Sequence, residues 1–173
     1  MKKLFKSKKG DAVIDSITIL LVVFAFALIT LSVYRGYTEA EPSIRASLNE
    51  TGVSTVNQSL ASLDVISNNF PSVFDGAILV ILIGLWIFAL VSAYFIDSHP
   101  LFLILSVILL IFVLIASAII TNAGQEILDD SVFSSVTGSF PITTWIISHL
   151  LIVILVIGFS IVAVLYGKSR GGA

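Results

Sequence analysis

Cysteine is absent from this chain and charge is scarce. With no Cys among 173 residues, disulfides, thiolate metal sites and a cysteine nucleophile are excluded. Only 12% of the residues are charged, against about 25% in a soluble domain. Histidine occurs only as His99 and His149, and no His-x-x-x-His or Glu-x-x-His spacing accompanies them. No metal site is expected from such a set. No G-x-S-x-G, phosphate-binding loop or H-E-x-x-H occurs either. The chain is therefore expected not to be an enzyme, and no catalytic residue or cofactor is assigned to it.

What the chain has in quantity is apolar sequence, 57% of all residues. A soluble domain of this size keeps too many residues at its surface to hide so much. Four runs reach the roughly 20 helical residues that cross a bilayer: 13–33, 77–96, 101–121 and 144–166. None alternates with period two as barrel strands do, and helices satisfy their own backbone in lipid. The expected fold is an all-α integral membrane protein with four transmembrane helices. The first run is longer than the apolar core of a secretory signal and no A-x-A-like site is clear after it. It reads as a retained span.

Basic residues set the expected orientation. Lys2, Lys3, Lys6, Lys8 and Lys9 precede span one, and Lys168 and Arg170 follow span four, which is seven of the nine Lys and Arg. The positive-inside rule then places both termini on the cytoplasmic or interior side. The segments 34–76 and 122–143 become extracytoplasmic loops, and they hold Glu39, Glu41, Glu50, Asp64, Asp75, Glu126, Asp129 and Asp130. The five-lysine tail is read first as a topology anchor touching anionic lipid. Contact with nucleic acid or a protein shell beneath the membrane is its sharper reading.

In the first loop, Val53, Val56, Leu60, Leu63 and Phe70 share one face at helical spacing. They predict an amphipathic helix over 54–68, with Ser54 or Thr51 as N-cap and the Asn69-Phe70-Pro71 run as its stop. The second loop repeats the pattern more briefly with Ile127, Leu128, Val132, Phe133 and Val136. Asn49-Glu50-Thr51 and Asn57-Gln58-Ser59 match the N-glycosylation sequon. Trp145 stands where an interfacial aromatic belongs.

Between spans two and three, 97–100 reads as a tight turn in which Asp97 or Ser98 caps the next helix and Pro100 enters its first turn. His149, one turn inside span four, is the most unusual polar residue, and a hydrogen bond to a neighbouring helix is its expected role. Gly84 and Gly158 interrupt the spans and read as close-packing positions.

The stretch Lys8 to Leu28, KKGDAVIDSITILLVVFAFAL, resembles the class III signal peptide of type IV prepilins. Gly10 stands before the cleavage point and Asp15 five positions after it. The resemblance implies removal of residues 1–10 by a prepilin-type peptidase. The chain departs from that family in carrying three further spans where pilins have a soluble head.

Taken together, the residues predict a non-enzymatic structural or assembly protein whose copies pack laterally in a bilayer, as homo-oligomer or larger assembly. A membrane-containing virus particle or a membrane-bound surface assembly would use such a component. The alternatives are a phage holin-like pore former, and an accessory subunit or chaperone of a larger membrane complex. A pore calls for a polar stripe along a span, whereas Ser16, Thr18, Thr30 and Ser32 cluster at the ends of span one.

Overall fold

The structure, a computed structural model, describes residues 12–50, 56–95 and 100–171. Among the described residues there is no strand. Six helices follow one another among these residues: α1 (Ala12–Glu50), α2 (Val56–Phe95), α3 (Pro100–Asp129), α4 (Ser131–Thr137), α5 (Pro141–Ser148) and α6 (Leu150–Gly171). Four segments are long and apolar enough to cross a membrane: Thr18–Glu50, Asn57–Phe95, Ile104–Asp129 and Leu150–Lys168. The chain is therefore a four-span, multi-pass helical membrane protein by length and composition.

The first two helices are longer than their apolar runs. The 39 residues of α1 extend about 58 Å at 1.5 Å per residue, roughly twice the hydrocarbon core of a bilayer. The expected loop 34–76 is thus mostly a continuation of two spans, and the helix expected at 54–68 is joined to span two without a stop. Its predicted inward face is correct for Leu60, Leu63 and Phe70, which are half-buried. The expected caps Thr51 and Ser54 lie outside the described residues.

The predicted stop at Pro71 fails for an identifiable reason. A proline inside a helix has no N–H and orphans the carbonyl four residues earlier, here that of Ser67. The Tyr34 hydroxyl donates to the Ser67 carbonyl at 3.3 Å, supplying the missing donor from α1. Pro71 itself is buried, while the other internal proline, Pro42, lies on an exposed face of α1.

The fourth span differs in the opposite sense. The expected run 144–166 is divided at His149 into α5 and α6. The His149 carbonyl accepts from the N–H groups of Ile152 (2.9 Å) and Val153 (3.0 Å) and so begins α6. His149 is accordingly a half-buried turn residue between two helices, not a residue one turn inside a continuous span.

Contacts group the chain into two compact units. One takes the described residues of 1–22, 82–121 and 149–173, the other 23–81 and 122–148. The core of the first includes Leu20, Ala89, Ala93, Val113, Ile154, Ile157 and Ile161. The core of the second includes Val23, Ala27, Leu31, Ile78, Phe140, Ile146 and Ile147.

Candidate functional site

The second unit contains the polar machinery of the chain. Its most buried carboxylate is Asp75 on α2, 4% exposed. One oxygen accepts from the Ile142 N–H at 2.9 Å. The other accepts from the Thr143 N–H at 2.6 Å and the Thr143 hydroxyl at 2.7 Å. Helix α5 opens on Pro141, suited to the first helical position, but the residue before it is Phe140, which has no capping side chain. Asp75 therefore caps α5 from another helix. A negative group at a helix N-terminus also opposes the positive end of the helix dipole.

Around this cap lies an aromatic cluster. Tyr34 stacks on Phe70 with ring centroids 5.5 Å apart and meets Phe140 edge-on at 5.1 Å. Phe70 stacks on Phe74 at 4.2 Å. Farther along the α1–α2 pair, Tyr37 donates to the Leu63 carbonyl at 2.9 Å. Ser67 donates to Glu41 at 2.9 Å, and Arg45 bridges Glu41 and Asp64. Arg35 pairs with Glu39 at 2.7 Å and lies 5.8 Å from the centre of the Phe133 ring. The short helix α4 is capped by its own Asp130, which accepts from the Val132 N–H at 2.8 Å. Val136 of α4 is buried and Val132 and Phe133 are half-buried, as their spacing predicts.

Polar contacts join the helices of the first unit as well. Trp86 donates its indole N–H to the Ser160 hydroxyl at 2.9 Å, linking α2 to α6. Thr121 of α3 donates to the Ser117 carbonyl and accepts from the Leu151 N–H at 3.2 Å, satisfying a donor in the first turn of α6. Lys168 donates to the Tyr94 carbonyl at 2.9 Å near the end of α2, a favourable place for a cation on the helix dipole. A Cβ at Gly158 would overlap Leu110 Cδ1, so α6 and α3 touch there. Gly158 is thus a close-packing glycine as expected. Gly84 is not, because a Cβ there would meet nothing within 4 Å.

The outer faces of this unit are apolar. Phe88, Phe112 and Phe159 are 66%, 63% and 68% exposed, and Ile87, Val91, Ile108, Ile115 and Ile119 are also exposed. No charged residue occurs in 82–95, 104–121 or 150–167. Contiguous exposed apolar surface on this scale needs lipid or protein against it.

The residues singled out from sequence distribute as follows. Pro100 opens α3, as predicted, whereas Asp97 and Ser98 lie outside the described residues. So do His99, Gly10 and the lysines Lys2, Lys3, Lys6, Lys8 and Lys9. Asn49 is exposed in the last turn of α1, and Asn57 is exposed in the first turn of α2. Trp145 is 54% exposed on α5. Sequence reasoning missed Asp75, Tyr34 and Gly124. A signal for Asp75 was present: a helix starting at Pro141 behind Phe140 lacks its own cap. Among the described residues, no group of three or more His, Asp or Glu is placed to hold a metal ion. No family model matches the chain, and no curated protein or solved structure is detectably similar to it.

Proposed function

We propose that the chain is a non-enzymatic structural protein of a membrane, packing laterally in a bilayer as many copies, with both termini on the cytoplasmic or interior side. The observation that carries this reading is the uncharged, aromatic-rich outer surface of 82–95, 104–121 and 150–167, where Phe88, Phe112 and Phe159 face outward. Such a surface suits acyl chains and the flank of a second copy equally well. The polar groups agree with it, because among the described residues no buried side-chain N or O lacks a hydrogen-bond partner. A protein whose inward polar groups are already satisfied offers its neighbours shape and apolar area. In this reading the basic tail lies on the interior side, at anionic lipid or at a nucleic acid or protein shell beneath the membrane. A membrane-containing virus particle or a membrane-bound surface assembly is the setting we propose.

The deciding experiment is electron cryo-microscopy of the full chain in its native membrane without detergent. The reading expects a continuous array of repeated copies. Isolated rings around a hole would replace it with a holin-like pore, and a single copy beside a larger complex with an accessory role.

A further inference from the structure

The two sequons are a sequence motif that lateral packing leaves without a use. In Asn57-Gln58-Ser59, all three side chains are exposed, and the triplet falls in the first turn of α2. Helix ends fray more readily than helix interiors, so this turn opens at lower cost than any later one to the extended shape a transferase must bind. Asn57 precedes the apolar run beginning at Ala77 by 20 helical residues, about 30 Å along α2. With the bilayer boundary taken at Ala77, that distance places the amide clear of the surface.

The helix surface that follows has an unusual composition for one in water. From Val56 to Gly76 the charged residues are Asp64 and Asp75 alone. Asp64 is bound to Arg45, and Asp75 is buried beneath α5. What α2 shows outward is Val65 (59% exposed), Ile66 and Val73, among neutral Gln58, Ser62, Asn68 and Asn69, with Asp64 the one charged residue exposed there and paired with Arg45. A helix face this short of charge is poorly protected against sticking to its neighbours. A bulky, hydrated glycan at its outer end would add hydrated bulk to a helix that carries little charge of its own.

We propose that Asn57 is an N-glycan attachment site at the outer end of α2. This rests on the orientation proposed above, which puts α2's N-terminal end on the non-cytoplasmic side. The donor is a polyisoprenyl-pyrophosphate-linked oligosaccharide. The Asn57 Nδ2 forms a bond to the sugar C1 as the bond from C1 to the pyrophosphate oxygen breaks. The lipid pyrophosphate leaves with the electron pair, and one amide proton passes to the transferase. No oxidant or reductant is required.

The test uses the full chain carrying Asn49→Gln, so that one sequon remains, synthesised into sealed microsomes containing oligosaccharyl transferase. The expected result is a single endoglycosidase-sensitive step in mobility that disappears in the Asn49→Gln, Asn57→Gln double variant. Because the chain has no cysteine, Ser62→Cys and Ser169→Cys report orientation independently through a membrane-impermeant maleimide. Ser62→Cys protected until detergent is added, together with the glycan step, supports the site. Ser62→Cys protected with no glycan step overturns the site and leaves the orientation standing. Ser62→Cys labelled on intact vesicles overturns the orientation, and the glycan site with it.

Discussion

The two units hold helix against helix by different chemistry. In the first, α6 meets α3 at a glycine and through the Leu151–Thr121 hydrogen bond, and α2 through the Trp86–Ser160 and Lys168–Tyr94 hydrogen bonds. In the second, helices are joined by a trans-acting carboxylate cap, a cluster of four aromatic rings and an Arg–carboxylate network. The difference follows the solvent each kind of sequence suits. Lipid is as apolar as Leu, so packed helices there gain little from hydrophobicity and more from close approach and isolated hydrogen bonds. Where water competes, burying ring area and satisfying helix ends matter more. Substitutions in the second unit should therefore cost more than equally conservative ones in the first.

The largest effect is expected at Asp75. Asp75→Ala removes the acceptor of three hydrogen bonds and strands the Ile142 and Thr143 N–H groups in a buried place. Two orphaned donors and a lost cap come to about 3 kcal/mol, read as an earlier unfolding midpoint on titrating SDS into mild-detergent micelles. Asp75→Asn keeps one acceptor oxygen and should lose about half as much. Equal losses for Asn and Ala would show that charge opposite the α5 dipole, and not acceptor count, is the source.

Two glycines sharpen the comparison. A Cβ at Gly124, in the second unit, would sit 2.6 Å from Ile147 Cγ2 and 3.2 Å from Phe24 Cε2. Ile147 is buried and β-branched, so its Cγ2 moves only with its backbone or an unfavourable rotamer. Gly124→Ala should cost about 1–3 kcal/mol. The overlap at Gly158, in the first unit, is with the tip of half-buried Leu110, which can swing aside. Gly158→Ala should cost less than about 1 kcal/mol. The reverse order in the same SDS titration would remove the argument that the first unit yields more easily.

Tyr34 comes next. Tyr34→Phe keeps the stacking on Phe70 and loses the donor to the Ser67 carbonyl. The expected cost is about 1 kcal/mol. In a Pro71→Ala background the carbonyl regains a backbone N–H, so the same substitution should cost measurably less. An unchanged cost in the double-mutant cycle would mean that the hydroxyl does not stand in for the missing N–H.

That pair also explains how far the sequence can be read. Hydropathy alone locates four membrane-crossing segments, because each sums a uniform signal over some twenty residues. The inward faces of the flanking helices are visible too, in Leu60, Leu63, Val132 and Val136. What escapes is whatever depends on a partner distant in sequence. Pro71 looks like a stop until Tyr34, 37 residues earlier, supplies a donor. Helix α5 looks like the start of one long span until Thr121, on α3, takes up the Leu151 N–H just past His149. Gly124 sits in a polar stretch and signals nothing until Ile147 packs on it. Local propensity and period carry the elements; pairings across tens of residues carry their breaks and continuations.

The smallest effect should come from Trp86. Its indole N–H is bonded to Ser160 at 2.9 Å, yet Ser160 also donates to the Ile157 carbonyl at 2.7 Å. Removing the indole N–H therefore leaves the serine with a partner. Trp86→Phe, Ser160→Ala and the double variant form a cycle that separates the hydrogen bond from the lost ring area. The coupling should be about 0.6 kcal/mol, as interhelical hydrogen bonds in bilayers average. A coupling of 2 kcal/mol or more would exceed the strongest of those bonds. The first unit would then owe its cohesion to polar pairing, as the second does, and the contrast between them would lie in which groups pair, not in how strongly.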